Sequence, residues 1–191
     1  MPILSFAGSQ LSWEDREGDA DFQDRVSRDY ISAESLGRQS GNVPFLLTLI
    51  NGPDEKKNTW AKRTNAGVTL THEIKPHTAY MISPDYWSNF QRLLEFGYGQ
   101  PATRVWNYWD ANYPAHIEGS ETSSLVVSKP GRAIIVVCDY GNGGDLKLTF
   151  DLTAKFTAKD MESGQPLTVT GNTVQFALKK HDFKMILVEH L

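Results

Sequence analysis

Only one cysteine, Cys138, occurs in the chain, so no intrachain disulfide and no thiolate-rich metal site can form. Set inside an apolar run, that thiol reads as a small buried hydrophobe. No stretch of 18 apolar residues exists, and no membrane-spanning helix is expected. Met1 to Gln10 has neither a basic start nor a long apolar core, and does not read as a secretory leader. Basic residues are neither in excess nor clustered: 19 Lys and Arg stand against 23 Asp and Glu. Nucleic acid is therefore not an expected partner. The longest charge run, Asp54 to Lys57, is mixed in sign and reads as solvated surface.

The signatures of several chemistries are missing as well. Gly141 to Gly144 is glycine-rich but opens no helix, so it does not read as a phosphate cradle. No Gly-x-Ser-x-Gly occurs, which leaves a serine-hydrolase elbow unsupported. His181 and His190 stand isolated from other ligand types. No metal and no cofactor is expected.

What is present divides by texture. All five tryptophans lie at or before Trp109. From about Glu118 onward, short strands follow one another: Ser124–Ser128, Ala133–Asp139, Leu146–Leu152, Ala154–Asp160, Leu167–Thr170, Thr173–Leu178 and Phe183–Val188. Turn signals separate most of them, and such spacing predicts an antiparallel sandwich. Its clearest part reads as a hairpin. Ala133 to Val137 is a nearly unbroken apolar run, whereas Leu146, Leu148, Phe150 and Leu152 alternate with Lys147, Thr149 and Asp151. Gly141 to Gly144 would form the reversal. Val126, Ile135, Val137, Leu148, Phe150, Phe156, Phe176, Met185 and Leu187 are the expected core between two sheets.

The earlier part reads as α/β. Ile3–Phe6 is a short expected strand, and Phe22, Val26, Tyr30 and Ile31 recur at near-helical spacing. Pro44–Ile50 and Gly67–Thr71 read as buried strands, with a polar loop from Asn51 to Asn65 between them. Ser83, Pro84 and Asp85 open a helix that Gly97 ends, with Trp87, Phe90, Leu93 and Leu94 as its apolar stripe. A strand at Thr103–Trp106 leads into Trp106-Asn107-Tyr108-Trp109-Asp110. The division is placed near 112–120, giving an α/β segment over 1–115 and an all-β antiparallel sandwich over 116–191.

These residues carry a resemblance. The Val126-Val127-Ser128 strand, AIIVVCDY–GNGG–LKLTFDL, the Asp160-Met161-Glu162-Ser163-Gly164 turn and the Lys180–Val188 ending resemble the small β-sandwich that closes many glycoside hydrolases. PFLLTLINGP, GVTLTHE, the Ser83–Gly97 helix and FGYGQPATRVWNYWD resemble the last strands of the (β/α)8 barrel in large bacterial glycoside-hydrolase-like proteins. The resemblance implies a carbohydrate partner and a hydrolase that cleaves glycosidic bonds with a carboxylate pair. The alternative is a non-catalytic carbohydrate-binding or structural accessory module. A full barrel takes about 250 residues, so the resemblance implies the C-terminal portion of a longer glycoside hydrolase with a missing upstream catalytic region, or a reduced relative. Unpaired apolar edges at Pro44–Ile50 or Gly67–Thr71 are then expected to meet a partner chain, as in a homo-oligomer, or to cause aggregation.

Two places stand after expected strands, where barrels put reacting groups. His72-Glu73 follows Gly67–Thr71, with Glu73 as candidate general acid or nucleophile and His72 beside it as a substrate contact. Trp106, Asn107, Tyr108 and Trp109 form a candidate sugar platform, since indole stacks on the C–H face of a sugar while amides bond hydroxyls. Asp110 is the candidate second carboxylate.

Overall fold

A computed structural model describes residues 9–17, 22–34, 43–49, 53–76, 83–150 and 155–190; the strand expected at Ile3–Phe6 lies outside them. The chain divides into two compact units, residues 1–87 and 88–191.

The first unit holds β1 (Ser9–Glu17), α1 (Phe22–Arg25), α2 (Arg28–Glu34), β2 (Val43–Leu49), α3 (Glu55–Thr71) and β3 (Lys75–Pro76). The strands form one parallel sheet in the order β1-β2-β3. Parallel neighbours require long crossovers, and helices supply them here. Phe22, Val26 and Ile31 are buried, whereas Tyr30 turns outward. Because β2 pairs on both sides, it is not the open edge that the sequence suggested for Pro44–Ile50.

Gly67–Thr71 is a correction. It forms the last turns of α3, which starts at the N-cap Asp54, whose carboxylate accepts from the Lys56 and Lys57 N–H groups. The β-branched run looked like a strand because the helix is buried from Thr64 through Thr71 without a break, so no amphipathic period marks it. Its hydroxyls are satisfied within the helix. Thr64 donates to Ala61 O, Thr69 to Asn65 O and Thr71 to Gly67 O, at 2.9–3.0 Å.

The second unit is β-rich. It begins within α4 (Pro84–Phe96) and continues with β4 (Arg104–Asn107), β5 (Ala115–Glu118), β6 (Thr122–Lys129), β7 (Arg132–Asp139), β8 (Gly144–Phe150), β9 (Phe156–Asp160), β10 (Thr168–Thr170), β11 (Thr173–Leu178) and β12 (Phe183–His190). Two antiparallel sheets result, ordered β4-β6-β7-β12-β9 and β10-β11-β8-β5. The seven strands expected after Glu118 are all present.

Their pairing differs at the centre. β7 pairs with β6 and β12, while β8 pairs with β11 and β5, so the glycine segment between them is a crossover from one sheet to the other and not a hairpin turn. Asp139 anchors this crossing. It is fully buried, and its carboxylate accepts from Ser120 Oγ, from Gly143 N–H (3.1 Å) and from His181 N–H (2.9 Å).

Val126, Ile135, Val137, Leu146, Leu148, Phe150, Phe156, Val174, Phe176, Ile186 and Val188 meet between the sheets. Met185 and Leu187 are buried too, but alternation sends them to the other face of the five-stranded sheet, with Leu125, Val127, Ile134 and Val136. Both faces of that sheet are covered, which explains the unbroken apolar run of β7. Residues 88–96 of α4 are tied to it at two points, where Asn89 Nδ2 donates to Glu162 Oε1 (3.1 Å) and Lys129 Nζ donates to Phe96 O (2.9 Å). The helix buries Asn89, Leu93 and Phe96 and leaves Trp87 and Leu94 outward, a stripe rotated from the one expected.

The crossing depends on Gly143. It has φ 66°, and a Cβ there would lie 2.6 Å from the backbone at Leu178–Lys180, whereas Gly164 (φ 72°) has open space. Gly164→Ala is therefore expected to cost about 1–2 kcal/mol in left-handed strain alone. Gly143→Ala should cost clearly more, since backbone cannot move aside cheaply. Urea unfolding of the two variants measures the difference, and equal costs would contradict the crossing geometry.

Candidate functional site

The aromatic segment grows out of an edge strand. Among the described residues β4 pairs only with β6 in the five-stranded sheet, setting Trp106 opposite Val126 and Asn107 opposite Leu125. Trp106 is half-buried and packs on the core between the sheets, while Asn107 is buried at the other face. The strand then turns sharply. Asp110 N–H donates to Asn107 O (2.9 Å), and Asp110 Oδ2 accepts from Asn107 N–H (2.8 Å). The Asp110 carboxylate thus closes its own turn, as a short acidic side chain readily does.

Two further bonds pin the segment to β6. Tyr108 N–H donates to Ser124 O (3.0 Å), and the Tyr113 hydroxyl donates to Ser124 Oγ (2.6 Å). Burial pushes the Tyr113 phenol up to about 12, partly offset by the Ser124 bond, so it is a neutral donor at ordinary pH. At the apex Trp109 is 37% exposed. The Tyr108 ring meets it edge-on, with centroids 4.9 Å apart and planes at 77°. The Tyr108 contact braces the indole while part of the residue stays exposed, and an aromatic surface of that kind can stack on the C–H face of a sugar. Strict alternation does not survive beyond Asn107, because the turn redirects the chain. Tyr113 and Ser124, which hold the platform, carry no sequence signal of their own.

His72 and Glu73 occupy a different setting, in the first unit. They follow a helix, not a strand. His72 is the C-cap of α3 and Glu73 adopts φ 57°, while Ile74 N–H reaches back to Thr69 O (3.0 Å). This is a Schellman ending with glutamate in the left-handed position that glycine usually takes. Glu73 accordingly stands before β3, on the side opposite to the strand's C-terminal end. The His72 imidazole is 2% exposed, with Nδ1 2.8 Å from Val68 O. Burial lowers its pKa to about 4, outweighing backbone bonds to Val68 and Arg28 that act the other way. Glu73 and Asp110 belong to separate units. Among the described residues no group of His, Cys, Asp and Glu could hold a metal ion.

No protein-family model matches the chain. No curated protein matches it either. Solved structures do. A GH27 β-L-arabinopyranosidase from Geobacillus stearothermophilus, in complex with arabinose, superposes with a TM-score of 0.64 at 9% identity, over 97% of this chain and 46% of that one. The α-galactosidase I of Mortierella vinacea gives a TM-score of 0.55 at 11% identity, over 97% and 54%. The maltogenic α-amylase AmyB of Thermotoga neapolitana gives 0.50 at 11%, over 90% and 48%. The chain has a glycoside-hydrolase-like fold. It spans about half the length of these glycoside hydrolases.

Two outcomes follow from the His72–Glu73 geometry. The folded-state pKa of His72 lies below its unfolded value of 6.5, so the unfolded chain binds the proton first as pH falls. Stability of the first unit is expected to decline from pH 6.5 toward about 4, by up to about 3 kcal/mol, and His72→Gln should lack that slope in denaturation curves taken across this range. At the next residue, Glu73→Val should be about 1–2 kcal/mol less stable than Glu73→Gly. Both variants lose the carboxylate, and only valine resists the positive φ.

Proposed function

We propose that this chain is part of a carbohydrate-active, glycoside-hydrolase-like protein and that its own contribution is sugar engagement by the sandwich unit. The carrying observation is Trp109, an outward indole braced by Tyr108 on a turn that Asp110 and β6 hold in place. An exposed, immobilised aromatic ring matches the flat C–H face of a sugar, and little ordering is needed on binding. The glycoside-hydrolase-like fold supports the same substrate class.

In this reading the first unit corresponds to the closing strands and helices of a (β/α)8 barrel. Its parallel β1-β2-β3 order with helices between consecutive strands supports that assignment. The remaining strands would come from the part of the matched proteins that this chain does not span. Hydrolysis by Glu73 and Asp110 as a carboxylate pair is the less supported role. Such a pair must face one sugar across roughly 5–9 Å, whereas Asp110 Oδ2 is bound to the Asn107 amide and Glu73 terminates a helix ahead of β3.

Titration calorimetry with a panel of galacto-, arabino- and malto-oligosaccharides tests the proposal. Loss of stacking is worth roughly 0.5–1.5 kcal/mol, so Trp109→Ala should weaken binding by up to about tenfold. Glu73→Gln should leave affinity unchanged. Unaltered binding in Trp109→Ala would reject the platform, and absence of binding to every oligosaccharide would reject the carbohydrate reading.

A further inference from the structure

The inner row of β7 runs Val137, Ile135, Ala133 and so ends on the smallest of the three side chains. Opposite Ala133 lie Ser128 on β6 and Val188 on β12, and β12 continues on the same face to His190. Phe150 closes the space from the other sheet, and Trp106 flanks Val126 from the edge. A cleft of about 230 Å³ results, with Trp106, Ser128, Ala133, Phe150, Val188 and His190 in its lining. Trp109 is not among its lining residues, so the cleft is separate from the exposed indole platform.

Its chemistry is specific. Trp106, Phe150, Val188 and Ala133 give an apolar floor, while the Ser128 hydroxyl and the His190 imidazole supply polar groups at the rim. No carboxylate is among the described lining residues. The two cations at the rim are engaged elsewhere: Lys129 Nζ donates to Phe96 O (2.9 Å) and lies over the Phe96 ring, and Arg132 Nε pairs with Glu189 (2.9 Å). A neutral ligand therefore fits better than an ion of either sign. The volume is below the roughly 300–1,000 Å³ of sites that hold drug-sized molecules, which limits the occupant to about one ring. An apolar face with hydroxyls around its perimeter answers both halves of the lining.

We propose that this cleft binds a single neutral pyranose unit, with its C–H face against Trp106 and Phe150 and its hydroxyls toward Ser128 and His190. The inference rests on the carbohydrate reading above and adds a second, smaller subsite to it.

Saturation-transfer NMR and calorimetry on the full chain would use methyl glycosides of galactose, arabinose and glucose in pyranose form as probes. At least one is expected to bind in the millimolar range, the affinity of a few contacts. Ser128→Ala should weaken it roughly 2- to 10-fold, as loss of one neutral hydrogen bond does. Ala133→Val, which fills the floor, should weaken it further. Ser128→Ala, the milder change, keeps the test valid should Ala133→Val fold poorly. Glycoside binding that ignores both cleft variants overturns the proposal, as does absence of binding by the wild type. If oligosaccharides still bind and Trp109→Ala weakens them, the platform stands and only the cleft fails.

Discussion

A buried carboxylate holds the sandwich together at its crossing. Asp139 ends the central strand of one sheet, and the chain must leave that sheet at once to begin the other. Its two oxygens accept from the Ser120 hydroxyl and the Gly143 and His181 amides, so three separate connections converge on one fully buried charge. Removing a charge from water is costly unless its acceptor capacity is met, and here the donors come from the loops that must be brought together. The Asp139 and Tyr140 N–H groups extend the join to Asp182 O (2.9 Å) and Glu121 O (2.7 Å). With the crossing set, β8 enters the second sheet with Leu146, Leu148 and Phe150 turned toward Ile135 and Val137. The edge strand β4, and with it the aromatic segment, is then positioned by pairing along β6.

Much of this sandwich can be read from residue order, because strand identity depends on a local period of two and on turn residues. Pairing partners are another matter. Glycines between two apolar strands serve a hairpin and a sheet-to-sheet crossing equally well, and only the convergence on Asp139, contributed by Ser120 and His181 from distant positions, decides between them. Met185 and Leu187 illustrate the same limit on a smaller scale. In a strand buried on both faces alternation carries no polar marker, so hydrophobicity cannot say which face meets the second sheet. The α3 error has a related cause, since a helix with its last eight residues buried has no amphipathic stripe to betray it.

The candidate site was visible in part. Clustered Trp, Tyr, Asn and Asp are a compositional signal, and the structure does put an exposed indole there. The partners of the polar residues were hidden. Asp110 looked like a reacting carboxylate by residue type and position, yet an acid three residues after a strand end is also well placed to accept from the strand's last amide. Glu73 stood after what looked like a strand, and its meaning changed when that segment became helix.

The central claim is that sugar is engaged by aromatic residues of the second unit. Indole Nε1–H resonances report this residue by residue, since the chain has only five tryptophans. In a titration with a galacto- or malto-oligosaccharide that binds the full chain, the account predicts movement of the Trp109 signal, with Trp106 following if the cleft is filled. Trp13, Trp60 and Trp87 should stay in place. Shifts confined to those three, with Trp106 and Trp109 unmoved at saturation, would contradict it.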